Sequence, residues 1–367
     1  MPYLNDINER IPDKRYTQVT CAIAFWVFSF VYLFFYQAEV LAAGQHVLSG
    51  GRTYYHRFIG AFLITLTLYL LQLAVVRLVP IYKRGHALTY FPSLLILTII
   101  TDFSPSSDKV HTLGGWWIAI PILAIIYGFV LWVLRQIEPF EPETASRGLM
   151  SRTTWVNLLT MCVLFMAVGI FSNGDEAFHY RMKMEQLINK DKYDEALKIG
   201  RRSSATDPSL TMLRAYALSA SGLLGERFFH YPVAEGLEEL VADSISMQSI
   251  LIPDSVIKEK AGAPRAKADY RLMNLLLQKD LNTFTSLVTR VYPDSHMPKH
   301  YAEALVFHHY YSGQPMKDSL DIVTETDFHD FMKKEKEHHG IVTQNQLRKT
   351  FGNTYWYYHK YVGNERK

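Results

Sequence analysis

The chain has 367 residues, of which 49% are hydrophobic, 20% charged and 14% aromatic, and a net charge of +3. That aromatic content excludes a disordered chain, and so small a positive excess, without a basic stripe, gives no support for a nucleic-acid partner. Residues 1–171 carry 21 of the 73 charged side chains and residues 172–367 carry 52, which excludes one uniform soluble fold.

Five uncharged runs organise the first half: Val19 to Ala38, Phe58 to Val76, Ala87 to Thr101, Thr112 to Leu134 and Thr153 to Ser172. A spanning helix needs about 20 mostly apolar residues, and a charge at mid-bilayer is costly. Four runs reach that length. The third contains Pro92 and reaches it only by taking in Asp102 and Phe103. With five spans, one side of the membrane holds Arg10, Lys14, Arg15, Arg77, Lys83, Arg84, Arg135, Arg147 and Arg152, and the other only Arg52, Arg57 and Lys109. Nine against three places the N-terminus in the cytoplasm. An odd number of spans then places everything after Ser172 outside, whereas four spans would put Arg135, Arg147 and Arg152 outside instead, which fits less well. Ala42-Ala43-Gly44 looks like a signal-cleavage site, but the run before it is longer than the roughly 7–15 residues of a secretory core, so it is read as an uncleaved span. Trp26, Trp116, Trp117 and Trp155 fall in or beside the runs, where headgroup-level tryptophans belong. Gln72 and Asn157 lie inside spans and are expected to hydrogen-bond to neighbouring helices. Cys21 and Cys162 both sit in apolar runs, which argues against a disulfide framework or a zinc site.

From Asp175 onward the periodicity is helical. Ala177, Tyr180, Met184, Leu187 and Ile188 share one face, and Tyr193, Ala196, Leu197 and Gly200 continue the pattern. Asp207-Pro208 reads as an N-cap followed by proline in the first turn. Leu210 to Ala220 is apolar nearly all round, so other helices should enclose it. Leu281, Phe284, Leu287, Val288 and Val291 form a further stripe, and Tyr301, Ala304, Leu305 and His308 begin another. No sustained period-two alternation appears, so strands are not expected. Helix pairs starting near Asp175 and Pro208, and near Arg265 and Pro298, repeat at a step of 33, close to the tetratricopeptide period. Lys192-Tyr193-Asp194-Glu195-Ala196-Leu197 followed by Asp207-Pro208 resembles the second helix of such a repeat and its closing proline. Residues 232–264 break the period, Lys183 stands where an aliphatic residue is usual, and Arg214 where an aromatic is usual.

A wider resemblance covers most of the chain. Leu218-Ser219-Ala220-Ser221-Gly222-Leu223-Leu224-Gly225-Glu226-Arg227-Phe228-Phe229-His230-Tyr231 and Met297-Pro298-Lys299-His300-Tyr301-Ala302-Glu303-Ala304 are similar to recurring stretches of polytopic inner-membrane proteins from Bacteroidota with a tetratricopeptide-like C-terminal domain. The resemblance implies a bacterial inner-membrane location and a periplasmic C-terminal domain. It implies no activity.

Ionisable residues gather near the expected outer surface: Glu39, His46, His56, Arg57, Asp102, His111, Asp175, Glu176 and His179. Such a layer can hold a metal or move protons. The competing reading is interfacial side chains with their heads in water, and the spacing matches no ligand motif. Of these, Glu39, His46, His56, Arg57, Asp102 and His179 form the candidate polar site. His308-His309 and His338-His339 are adjacent pairs, whose rings point about 100° apart on a helix and chelate one metal poorly. His300, Glu303 and His308 could share a face. Asp327 to Glu337 reads as a solvated helix face. Tyr355-Trp356-Tyr357-Tyr358 with Tyr361 is dense in aromatics; packing or capping comes first, and recognition by Tyr355, Trp356 and Tyr358 second. Gly50-Gly51 and Gly114-Gly115 lack the basic helix start of a phosphate loop, and no nucleophile elbow is present. No cofactor or metal is therefore expected.

The sequence thus predicts an all-α protein: a cytoplasmic segment over 1–17, a five-helix transmembrane bundle over 18–172, and an extracytoplasmic tetratricopeptide-like α-solenoid over 173–367. Its partners would be the bilayer and a protein or peptide held by the solenoid as scaffold or assembly factor. The alternative is an envelope enzyme or transport component using the outer polar site.

Overall fold

A computed structural model of the chain describes residues 3–79, 83–103, 115–137, 151–234, 240, 249–252, 264–293, 297–313, 322–337 and 341–362. Among them are helices and turns and no strand. The chain divides into two compact units, 1–175 and 176–367. Lys109, His111, Arg147, the pair His338-His339 and most of 232–264 lie outside the described residues.

In the first unit α1 (Tyr3–Val31) passes through a π-helical turn (Tyr32–Tyr36) and Gln37 into α2 (Ala38–Ser49). There follow α3 (Arg57–Leu78), a 3-10 helix (Lys83–Tyr90) continuing into α4 (Phe91–Thr101), α5 (Trp116–Ile137) and α6 (Arg152–Phe171). Four stretches are long and apolar enough to cross a membrane: Arg15–Tyr36, Arg57–Leu78, Trp116–Gln136 and Arg152–Phe171. The third uncharged run is the exception to the five read from sequence. It forms a shorter apolar helix, Gly85–Thr101. Its first turns are 3-10, Pro92 stands in the first turn of α4, and Asp102 ends that helix and accepts from Trp116 Nε1 at 2.8 Å. Packed against α1, α3 and α6, it fills the middle of the unit with Ala87, Tyr90, Leu94 and Leu97.

The unit is inverted relative to a water-soluble fold. Ser29, Thr65, Gln72, Ser93, Thr98 and Asn157 are buried, while Val19, Ile23, Val27, Leu70, Ile125, Phe129, Leu159, Val163 and Ile170 are exposed. Water would penalise that arrangement, whereas lipid tails are as apolar as the exposed side chains. The polar groups inside tie helices together as expected. Gln72 Nε2 donates to Thr89 Oγ1 at 3.0 Å, Ser93 Oγ to the Leu68 carbonyl at 2.8 Å, and the Ala87 N–H to Asn157 Oδ1 at 2.7 Å. This is the build of a multi-pass membrane protein.

The second unit holds α7 (Glu176–Ile188), α8 (Tyr193–Ala196), α9 (Pro208–Ala220), α10 (Leu224–Arg227), α11 (Pro264–Leu277), α12 (Leu281–Val291), α13 (Lys299–Ser312), α14 (Ile322–Glu337), α15 (Ile341–Phe351) and α16 (Tyr355–Tyr361). Asp207 caps α9 by accepting from the Leu210 N–H at 2.6 Å, with Pro208 in the first turn. Every residue from Leu210 to Leu218 is buried, which accounts for an apolar pattern on all faces. The expected second helix over Tyr193 to Gly200 is corrected to a single turn. Beyond Ala196 the bonding tightens, with the Lys198 and Ile199 N–H groups donating to the Glu195 and Ala196 carbonyls, and Gly200 at φ +59° then turns the chain away. Glu185 is buried and clamps the middle of the irregular stretch: it accepts from the Ile250 and Leu251 N–H groups at 2.8 and 2.7 Å and from Arg181 Nε at 3.1 Å. Burial still holds its carboxyl above the ordinary range. Two apolar cores result, one around α7, α9, α11 and α12, the other joining α13, α14, α15 and α16.

Candidate functional site

Of the six residues of the polar site expected from the sequence, the structure brings two together. Arg57 Nη2 reaches Glu39 Oε1 at 2.5 Å, with the carboxylate buried and the guanidinium half-exposed over the Phe34 ring. His56 is the N-cap of α3, its Nδ1 accepting from the Ile59 N–H at 3.4 Å. His46 lies beside Gly51 in the turn after α2. Asp102 is engaged with Trp116. His179 belongs to the second unit, on α7. A polar knot that the sequence reading missed sits at the same end of the first unit. Gln37 Nε2 donates to Tyr32 Oη at 2.9 Å and to the Asn173 carbonyl at 3.0 Å, Tyr32 is bonded to Ser172, and the Asn173 N–H donates to the Thr101 carbonyl at 3.1 Å. Its cause is the π-helical turn, whose extra residue swings Gln37 inward. Among the described residues no three His, Cys, Asp or Glu side chains gather as a metal set.

The C-terminal aromatics are core. Tyr355, Trp356 and Tyr358 are 0%, 1% and 9% exposed. Thr354 caps α16, and Glu303 of α13 acts as a second cap, with Oε2 accepting from the Tyr355 N–H at 2.8 Å and bonded to His300 Nδ1 at 2.9 Å. His300 Nε2 in turn accepts from the Phe229 N–H at 3.3 Å, which fixes the proton on Nδ1. Trp356 Nε1 donates to the Glu303 carbonyl at 2.7 Å.

Docking α16 this way leaves a groove on its other side, about 610 Å³, lined by Leu281, Phe307, Tyr311, Glu335, His359, Lys360 and Tyr361. Lys360 Nζ meets Glu335 Oε2 at 2.5 Å and lies 5.6 Å over the Tyr311 ring, and Tyr361 Oη donates to Glu335 Oε1 at 3.0 Å. The His359 ring packs 4.5 Å from Phe307. Burial, reinforced by Lys279 and Lys360, lowers its pKa to about 4, so it is neutral at pH 7. Lys279 Nζ fastens the end of the helix through the His359 and Val362 carbonyls at 2.8 and 3.1 Å. The walls are apolar and aromatic, and the one acid is already matched by the one base. That composition receives apolar side chains with a few hydrogen bonds; it holds no activated nucleophile or proton-transfer pair. Of the C-terminal aromatic cluster, Tyr355, Trp356 and Tyr358 thus pack inside, and Tyr361 lines the groove with His359 and Lys360.

Residues 242–362, which include the groove, match the family described as "Family of unknown function (DUF6057)". No curated protein and no solved structure matches the chain.

Proposed function

We propose that this membrane protein holds a polypeptide partner in the groove between α12, α13, α14 and α16, as a membrane-anchored scaffold or assembly factor. The observation that carries the reading is the groove itself: aromatic walls with a neutralised ion pair, on a helix fixed from behind by Glu303. In this reading Gly85–Thr101 completes a fifth crossing, and the nine-to-three distribution of basic residues keeps the N-terminus cytoplasmic and puts the helical unit in the periplasm of a bacterial inner-membrane protein. The helical unit is a divergent tetratricopeptide-like solenoid. Its first helices α7 and α9 begin 32 residues apart, and α11 and α13 begin 35 apart.

A photo-crosslinking residue in place of Tyr311, in cells making the full chain, should yield an adduct with a polypeptide that Leu281→Glu abolishes. A probe in place of Lys333 is the control. Equal adducts at both positions, or persistence in the Leu281→Glu chain, would refute the groove. A reporter fused after Lys367 tests the orientation separately, and activity only in the cytosol would refute it.

The second reading, an enzyme or transport component, is favoured only by the buried Glu39 carboxylate beside Arg57. Under it, alanine at Glu39, His46, His56 and Asp102 abolishes the cellular phenotype at normal protein levels. Under the scaffold reading the phenotype survives.

A further inference from the structure

The turn that ends α8 is held from three sides. A Cβ at Gly200 would stand 2.7 Å from Tyr180 Cδ2, so the ring lies directly on the turn. Arg214 Nη2 donates to the Gly200 carbonyl at 3.4 Å, and Tyr231 Oη to the Leu197 carbonyl at 2.9 Å. Arg214 is itself buried, 5.4 Å over the Tyr231 ring. Burial lowers its pKa to about 10, which leaves it charged at neutral pH.

Against this fixed turn lies a cavity of about 630 Å³ lined by Tyr180, Lys198, Gly200, Arg201, Arg202 and Ser203. Three of the six are exposed cations, and none of these three forms an ion pair with a described residue. Other basic residues of the unit do find carboxylates: Lys192 meets Glu195, Lys299 meets Glu303, and Lys360 meets Glu335. Among the described residues one acid touches the lining. Glu176 Oε2 accepts from Ser203 Oγ at 3.1 Å and Tyr180 Oη at 3.4 Å. Among the described residues the rim sets three cations against one carboxylate, which leaves a net positive field in a preformed recess. Such a field raises the local concentration of anions. Guanidinium groups match phosphate oxygens in pairs, and a phosphate monoester carries about 1.5 to 2 negative charges, where a carboxylate carries one.

We infer that the pocket at the Gly200 turn binds a phosphate group, held by Lys198, Arg201 and Arg202, with Glu176 setting the affinity by opposing it. The phosphate oxygens that match guanidinium groups are offered both by the singly charged phosphodiester of an anionic lipid headgroup and by a dissolved phosphate ester, which adds the second charge. Only eight residues of sequence separate Phe171, the end of the last membrane-length helix, from Tyr180.

The test titrates inorganic phosphate into the full chain in phosphatidylcholine nanodiscs by calorimetry, and repeats it in discs of equal parts phosphatidylcholine and phosphatidylglycerol. Competition by phosphatidylglycerol identifies a headgroup site, and undiminished phosphate binding a soluble-ligand site; both support the pocket. Arg201→Gln with Arg202→Gln should weaken phosphate about 25-fold, about fivefold for each cation removed. Lys333→Gln with Lys336→Gln, the same change in net charge on exposed positions of α14, should change nothing. Glu176→Gln should tighten binding, and serves alone if the double-arginine chain loses its helical circular dichroism. The inference is overturned if the chain does not bind phosphate in phosphatidylcholine discs, if both double variants weaken it equally, or if Glu176→Gln leaves it unchanged.

Discussion

Glu303→Ala should release α16 from the rest of the second unit. The side chain is 1% exposed and its Oε2 serves two buried donors, the Tyr355 N–H and His300 Nδ1. Each donor left unsatisfied costs about 1–3 kcal/mol, so about 3 kcal/mol is expected for the pair once some water enters the space. If α16 opens locally, that is about a hundredfold faster amide exchange. Hydrogen exchange read by mass spectrometry, on the full chain in detergent, resolves peptides covering 355–361 from the rest. Glu303→Gln keeps the size and one acceptor oxygen and should accelerate exchange only about fivefold, corresponding to about 1 kcal/mol. Exchange at 355–361 that stays within about twofold of the parent in Glu303→Ala would show that ring packing alone fixes the helix, and would refute the assignment of Glu303 as its cap.

Arg57→Ala strands the buried Glu39 carboxylate and should lower stability in detergent by about 1–3 kcal/mol, whereas Arg57→Ala with Glu39→Gln should recover most of it; a double variant no better than the single would show that the pair is not coupled. Gly200→Ala forces an L side chain into a left-handed turn and against Tyr180, for a loss of about 1–2 kcal/mol or more, read as a lower thermal midpoint of the second unit; an unchanged midpoint would refute the clamped turn. Burial lowers the pKa of both His230 and His359 to about 4. Unfolded, both return to an ordinary value of about 6.5, so between those limits the unfolded chain binds more protons and the folded unit loses stability as pH falls from about 6.5 to about 4. Glu185 and Asp269, held above the ordinary range by burial, act in the opposite direction, so the comparison is with His359→Gln, whose urea midpoint should fall less over that window; parallel pH curves would refute the role of His359.

Much of the architecture was legible because it rests on periodicity. Leu210 to Leu218 is apolar nearly all round, Thr211 and Arg214 excepted, and buried all round; Gln72 and Asn157 lie in apolar helices and bond across to neighbours. The readings that failed were those in which a local backbone event overrides a pattern. Tyr193 to Gly200 keeps helical spacing, yet the helix stops at Ala196 and tighter turns carry the chain to a left-handed Gly200. The π-helical turn leaves no mark in Tyr32-Leu33-Phe34-Phe35-Tyr36 beyond aromatic density, so the inward swing of Gln37 was invisible. The groove was hidden for another reason: it depends on which side of α16 is taken by Glu303, 52 residues earlier in the chain.

That last tie also governs how the second unit comes apart and together. Tyr355 and Tyr358 belong to one apolar core, Trp356 and Tyr357 to the other. A string of stacked repeats can fray from an end one module at a time; a short helix wedged into both halves couples their melting, so a single sharp transition is the expectation. During synthesis α16 emerges well after α13, so the Glu303 carboxylate and the rings that α16 covers wait for it until the end of the chain is made.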